Sequence, residues 1–596
     1  MMLTKRSRPY VLLVCFIPLL GNTLYAQSEN QNELLSQTSE AAGLMVNYRQ
    51  DIKAIEDFYS PVRQDYFSRR SFNTVQHSPE QMLRLREVNE AYLKQVKSKS
   101  FTGISVNGKV DLLLLKRDIE SKIRLLGIEE NEYQQISKYI PFAEEIYALE
   151  KGRRRGASVD GQQIAGLYND MAPKVIAAEA MLGKVPSMDM KLSDRLKKSI
   201  EGLKIRLKSV FDFYNEYDPL FTWWVPKPNE KLSKELETYA DLAKAKGKIE
   251  TSQKEDKSGI VGVPIGHDEL VRQLQEEMIS YSPEELVDIA NKEFAWCDKE
   301  MLKASNEMGF GNDWKKALEK VKNSYVPAGK QPELIMKLYN KSIDFVESRD
   351  LITIPSLAKE TWGMIMMTPE RQLVNPFFTG GKEISISYPT SGMSQPDKLM
   401  SMRGNNPYFS TPTVQHELLP GHNLQFFMNS RSKAYRSDYN TPFWTEGWAL
   451  YWELLLYDKG FAMTPEEKVG MLFWRMHRCA RIIFSLNYHL GKWTPQQSID
   501  FLVDRVGHER ANAEGEVRRS FTGNYSPLYQ VAYLIGGLQF YALEKELVDG
   551  GKMTIKEYHD KVMLENNMPV EMVRAILTDQ PVTPDFKTNW KFYKSR

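Results

Sequence analysis

The chain has 596 residues, 42% of them hydrophobic and 26% charged, which is the composition of an ordinary globular protein and excludes a disordered or fibrous one. At that length two or more folding units are expected. With 79 basic against 77 acidic residues there is no surplus of positive charge of the kind that binds nucleic acid, so nucleic acid is excluded as a partner class.

Lys5, Arg6 and Arg8 precede an apolar run from Tyr10 to Leu20, and Ala26 follows at a cleavage-like position. This pattern reads as a secretory signal over residues 1–26. The run is shorter than the ~20 residues a membrane span needs, so the mature chain is expected to have no span. Cys15 follows Val14, which is bulkier than the small residue lipid-attachment sites carry. The protein is therefore expected to be exported, periplasmic or extracellular, and membrane-associated only if the signal is retained or lipidated. Of the three cysteines, Cys297 and Cys479 lie in the mature chain in apolar helical contexts. Two are too few for a disulfide framework, and buried thiols are the default.

Apolar residues at three- and four-residue spacing, as in Leu112, Leu115, Ile119, Ile123 and Leu126 or Leu203, Leu207, Val210 and Phe211, predict helices through most of the chain. Two polar stretches, Lys151 to Gln163 with its Arg153-Arg154-Arg155 run and Lys246 to Gly259, read as exposed loops. The second divides an N-terminal helical region, 27–258, from the region 259–596 that carries the chemistry. Trp223-Trp224, Tyr451-Trp452 and the Met364 to Thr368 stretch read as packing. His77, His267, His477, His508 and His559 have no defensible partner spacing. One strand is predicted, Ile384 to Tyr388, after the Gly380-Gly381 turn signal. It is either structural or an edge for an extended peptide, with Tyr388 as a substrate-binding candidate.

Thr411-Pro412 reads as a helix start leading into His416-Glu417-Leu418-Leu419-Pro420-Gly421-His422. In the usual zinc motif two histidines stand four apart on one helical face, with a glutamate beside the first as base. Here the spacing is six, which on an unbroken helix carries the second side chain round by about 240° beyond a full turn. Pro420, which lacks an amide hydrogen and clashes with the His416 carbonyl, and Gly421, which is conformationally free, predict an interruption between Leu419 and His422 that turns the second imidazole back. A catalytic zinc needs a third protein ligand and an open position. Glu446, on a helix opened by Thr441-Pro442, is the first candidate. Glu453, two turns on along the same face, is predicted to orient a histidine, and the reverse assignment is the alternative.

The stretches His416 to His422 and Thr445 to Glu453 resemble the signature of a large bacterial family known as DUF885, a domain of unknown function with many exported or lipoprotein members. The similarity runs from about Leu112 to the end and includes Ile265-Gly266, Trp493-Thr494, Glu516, Tyr533-Leu534-Ile535-Gly536 and Tyr558-His559-Asp560. The family looks like a helical relative of the gluzincin peptidases. The resemblance implies a mainly α, zincin-like fold with a short β-sheet near the metal motif, Zn2+ held by His416, His422 and Glu446, and Glu417 as base. The chain departs from the family pattern at Arg519-Ser520, Pro527-Leu528-Tyr529, Ser485 and Asn487, which bears on the substrate pocket and not on the metal residues. Donors to a developing oxyanion are sought among Arg518, Arg519, Tyr525, Tyr529, Tyr533 and His489, with Tyr533 and Arg519 first.

The sequence thus supports a zinc peptidase acting on peptides. Beside it stand a zinc amidase or ester hydrolase of a small molecule, and a non-catalytic binding protein with a structural metal site.

Overall fold

Helix starts are written into the chain as Ser or Thr followed by Pro. Ser282 and Thr464 each cap a helix whose first residue is proline, and Glu285 and Glu467, three residues on, reach back to the cap amide. This reciprocal pairing meets two of the donors that every helix start leaves open. The computed structural model describes residues 37–61, 76–248, 256–374, 378–381, 383–387, 389–523 and 525–594. The proposed signal, 1–26, and Tyr388 lie outside them. The protein is mainly α, as expected. Among the described residues the strands form two parallel pairs, Met188–Asp189 with Gly247–Lys248 and Gly363–Met366 with Glu383–Ile386. No helix among the described residues is long and apolar enough to cross a membrane.

Three hydrophobic cores organise the helices. The first joins Ala41 to Leu126 with Ile335 to Val582, so the earliest described helices pack on the region of the histidine motif. The second runs from Ile260 to Phe592. The third closes between Ile136 and Ala243. Cys297 and Cys479 are buried free thiols in the second core, as their context predicted.

Several local expectations are corrected. Lys151 to Gln163 is not one solvated loop: Ala143–Arg154 is helical, and the next helix begins at Gly161. Arg153 and Arg154 turn inward onto the buried carboxylate of Glu150, whose charge they compensate. Trp223 and Trp224 do not pack in the core. They are 79% and 42% exposed, because the short helix Pro219–Trp224 buries Phe221 instead. Tyr451 and Trp452 are fully buried, as expected. In the Met364 to Thr368 stretch Met364 packs on the first core and Met367 is buried, whereas Ile365 and Met366 are exposed on a strand.

A buried ionic network fixes the loop that follows the second histidine. Arg436, with no exposed surface, donates from Nε to Asp111 Oδ1 at 2.7 Å and from Nη1 to Glu565 Oε2 at 2.7 Å, and Nη2 reaches Asn107. Lys433 joins at Glu565. Removing one partner of such a network strands the others as buried charges, so Arg436→Leu is expected to destabilise the protein by about 3–5 kcal/mol. The check is a lower denaturation midpoint in urea.

Candidate functional site

The helix bearing the first histidine begins at Pro407, capped by Asn406, whose side chain accepts from the amides of Tyr408 and Phe409. Thr411-Pro412 is therefore not the helix start; Pro412 sits inside the helix. It removes the amide that would bond the Tyr408 carbonyl, and at that carbonyl Gly470 of the neighbouring helix Pro465–His489 passes so closely that a Cβ would stand 2.3 Å away. Phe409 stacks on Phe473 at 4.1 Å, and Trp474 Nε1 donates to the Phe409 carbonyl.

The expected interruption is present and spans Leu418 to Gly421, between Pro407–Glu417 and His422–Asn429. Gly421 lies directly over the last turn of the first helix. A Cβ on it would stand 2.0 Å from the His416 carbonyl oxygen and 2.5 Å from that of Gln415. Trp448 Nε1 holds the turn by donating to the Pro420 carbonyl at 3.0 Å. The two imidazoles are thereby brought to 4.7 Å between centroids, nearly perpendicular.

Glu446 comes from the helix Pro442–Asp458, capped by Thr441 as expected. Its Oε2 lies 3.2 Å from His416 Nε2 and 3.2 Å from His422 Nε2. The other nitrogen of each ring is taken: His416 Nδ1 pairs with Glu453 at 2.7 Å, and His422 Nδ1 with Gln425 Oε1 at 3.3 Å. The geometry thus separates the carboxylates, with Glu446 between the two Nε2 atoms and Glu453 behind one ring. His416, His422 and Glu446 could hold a cation, since one donor atom from each falls within 4.8 Å of the others. Burial opposes a charge on His416, but Glu446 and Glu453 overcome it and hold its pKa at about 9. Burial likewise opposes charge on Glu446, yet the two imidazoles keep its carboxyl well below the usual range.

Glycines also set the opposite wall. The helix Tyr529–Glu544 meets Pro442–Asp458 backbone to backbone: a Cβ on Gly447 would stand 2.6 Å from Gly536 Cα, and one on Gly536 would stand 2.1 Å from the Phe443 carbonyl. This approach brings Tyr529 Oη to Glu446 Oε1 as a donor and lays the Tyr533 ring parallel to His416 at 6.0 Å. Burial and the charge of Glu446 raise the Tyr533 pKa, so its hydroxyl keeps its proton. Glu417 faces the same cavity beneath Gly380, where a Cβ would stand 2.4 Å from Glu417 Oε2.

The cavity is about 530 Å³ and contains His416, Glu417, His422, Glu446, Arg519, Tyr525, Tyr529 and Tyr533. Two members of the predicted pool lie elsewhere. Arg518 is exposed, on the side of its helix facing away from the cavity. His489 is buried at the end of its helix, and burial alone lowers its pKa to about 4, so it stays neutral and serves packing. The strand is shorter than expected, Glu383–Ile386, and Thr379 exchanges both amide bonds with Ser385 on the side away from Gly363–Met366. Ser385 is thus paired on that side within the chain.

Sequence reasoning missed Gln425, Arg478 and Arg481. Gln425 had a signal, three residues beyond His422 on one helical face. The arginines had none: their helix also carries Arg475, His477 and a charged first turn, so nothing local singles them out.

Fold and site together define a helical protein with two imidazoles, a carboxylate and a free glutamate around one cavity. The chain belongs to the family described as bacterial protein of unknown function (DUF885), whose model matches residues 23–577, further toward the N-terminus than the motifs alone indicated and ending before the last residues of the chain. No curated protein matches the sequence. Among solved structures it is similar to a candidate lipoprotein of unknown function from Shewanella oneidensis, at 16% identity and a TM-score of 0.65, covering 91% of this chain and 100% of that one. It is also similar to a candidate lipoprotein from Colwellia psychrerythraea, at 15% identity and a TM-score of 0.56, covering 91% and 98%. At these identities the likeness concerns the fold.

Proposed function

We propose that the protein is an exported zinc-dependent peptidase. The observation that carries this reading is the convergence of His416 Nε2 and His422 Nε2 on one oxygen of Glu446, each at 3.2 Å, beside a carboxylate that is not part of the cluster. Neighbouring ligands of a tetrahedral zinc with bonds of about 2.0–2.1 Å stand about 3.3 Å apart, and the distance from Glu446 Oε2 to each imidazole nitrogen, 3.2 Å, matches that spacing. The donor set, two nitrogens and one oxygen with a position left open, is that of catalytic zinc. Export is supported by the signal-like pattern of residues 5–26 and by relatives of the same fold described as candidate lipoproteins.

Bound zinc supplies Lewis acidity and lowers the pKa of water toward about 7. Glu417 takes the proton from the attacking water and hands it to the leaving amine. Tyr533, protonated at neutral pH, donates to the oxygen that gains charge as the carbonyl is attacked. Glu453 and Gln425 keep both imidazoles turned so that Nε2 faces Glu446. A cavity of about 530 Å³ suits a substrate of a few residues, and it also favours the second reading, an amide or ester of a small molecule.

Purified protein is expected to retain about one zinc per chain and to cut peptides in a mass-spectrometric digest with non-peptide amides and esters screened alongside. Protein that holds no zinc and cuts nothing would sink the reading. Glu453→Gln, which keeps the volume and removes the charge behind His416, is expected to weaken zinc binding about 10–100-fold, read by competition with a chelator.

A further inference from the structure

We propose that Arg478, Arg481 and Arg519 form a subsite for a substrate carboxylate, so that the protein acts on peptides that carry a carboxylate, at the C-terminus or on a side chain, close to the bond it cuts. This rests on the peptidase reading and names its substrate class.

All three arginines line the cavity that holds the two imidazoles. Their position is tied to the reacting centre through Tyr533. The Tyr533 ring lies parallel to His416 at 6.0 Å, and Arg478 and Arg481 stand 4.6 and 4.5 Å from the centre of the same ring. A single residue spans about 3.3–3.6 Å of extended chain. By these distances Arg478 and Arg481 stand no more than about three residues of extended chain from the His416 ring.

Charge and hydrogen bonding both leave room for an anion. Arg481 and Arg519 share one carboxylate, Glu516. Arg478 reaches only Glu453, at 3.4 Å, on an oxygen already committed to His416 at 2.7 Å. Three cations thus meet one dedicated anion and the margin of another. Arg478 and Arg481 are only 8% and 4% exposed. A guanidinium carries five N–H donors, and Nε of Arg478, Nη1 of Arg481 and Nε of Arg519 are buried without a hydrogen-bond partner among the described residues, as are nitrogens of other buried arginines such as Arg206 and Arg475, so it is the clustering of three arginines on one cavity that sets this group apart. Buried donors left in this condition are costly and are normally satisfied. Planar guanidinium forks match a carboxylate through two parallel bonds, which makes a carboxylate the fitting occupant. It is supplied either by the α-carboxyl of a peptide end or by an acidic side chain.

The test uses the full chain with zinc and one N-blocked alanine pentapeptide in three forms: free acid, C-terminal amide, and amide with glutamate as the last residue. Cleavage is measured on wild type. Binding is measured by calorimetry on Glu417→Gln, which reports on the subsite whether or not turnover occurs. The free acid is expected to be favoured over the plain amide by at least about tenfold in both readouts, the scale of one charge-assisted hydrogen bond. In Arg478→Met and, separately, Arg519→Met, the acid-to-amide ratio is expected to fall toward one, with zinc content measured on each. Preference for the glutamate amide over the plain amide, lost in the same variants, upholds the subsite and assigns its ligand to a side chain. Equal binding and cleavage of all three forms would overturn the subsite while leaving the peptidase reading intact. Zinc-loaded protein that binds the acid selectively but cuts no form would overturn the peptidase reading and keep the subsite.

Discussion

Glu417→Gln is expected to slow hydrolysis by about 10²–10⁴-fold, the contribution of a positioned general base, with zinc content and thermal stability unchanged. The amide has the shape of the carboxylate, so it fits under Gly380, where the backbone leaves almost no clearance. It can still hydrogen-bond to water but cannot take a proton. Glu417 also stands apart from the three-residue cluster of His416, His422 and Glu446, so the substitution removes chemistry without removing a donor. Turnover, metal analysis and a melting curve on the same preparation check this. A rate within threefold of wild type would favour the non-catalytic reading, since a binding protein has no use for a base. Loss of zinc together with activity would instead place Glu417 among the ligands.

What the sequence disclosed depended on how local each signal was. The helical class was legible because burial of one face repeats every three or four residues, and the cluster of His416, His422 and Glu446 because its members occupy two short motifs. His416, Glu417 and His422 fall within seven residues, and Glu446 and Glu453 are two turns apart on one helix. That spacing suggested that Glu453 orients a histidine, and the carboxylate lies 2.7 Å from His416 Nδ1. Other features depend on distant partners. Arg153 and Arg154 read as solvated because Glu150 was not recognised as a buried anion between them. Pro412 read as a helix start although the earlier Asn406-Pro407 signal is equally local, whereas the crossing of Gly470 at the freed carbonyl depends on a distant helix. Arg478 and Arg481 became visible only when three helices brought Tyr533, Glu453 and Glu516 to them.

The interruption before the second histidine offers the sharper physical test. His422→Ala removes one of three donors and is expected to leave the purified protein with essentially no zinc and background activity. Gly421→Ala is expected to give much the same result while leaving every donor in place. The added methyl group would meet the His416 carbonyl oxygen at 2.0 Å and that of Gln415 at 2.5 Å. Both are backbone atoms of the preceding helix, so no side chain can swing aside. Either the turn lifts away, separating the two imidazoles, or the helix end gives way beneath it. Overpacking of this kind costs about 1–3 kcal/mol, a modest loss for a chain this size, so Gly421→Ala is expected to remain folded by circular dichroism while failing to hold zinc. Trp448, which donates to the Pro420 carbonyl, opposes the lifting of the turn, and that resistance directs the displacement toward His416. Full zinc occupancy in Gly421→Ala would mean that close backbone passage is not what brings the two rings together.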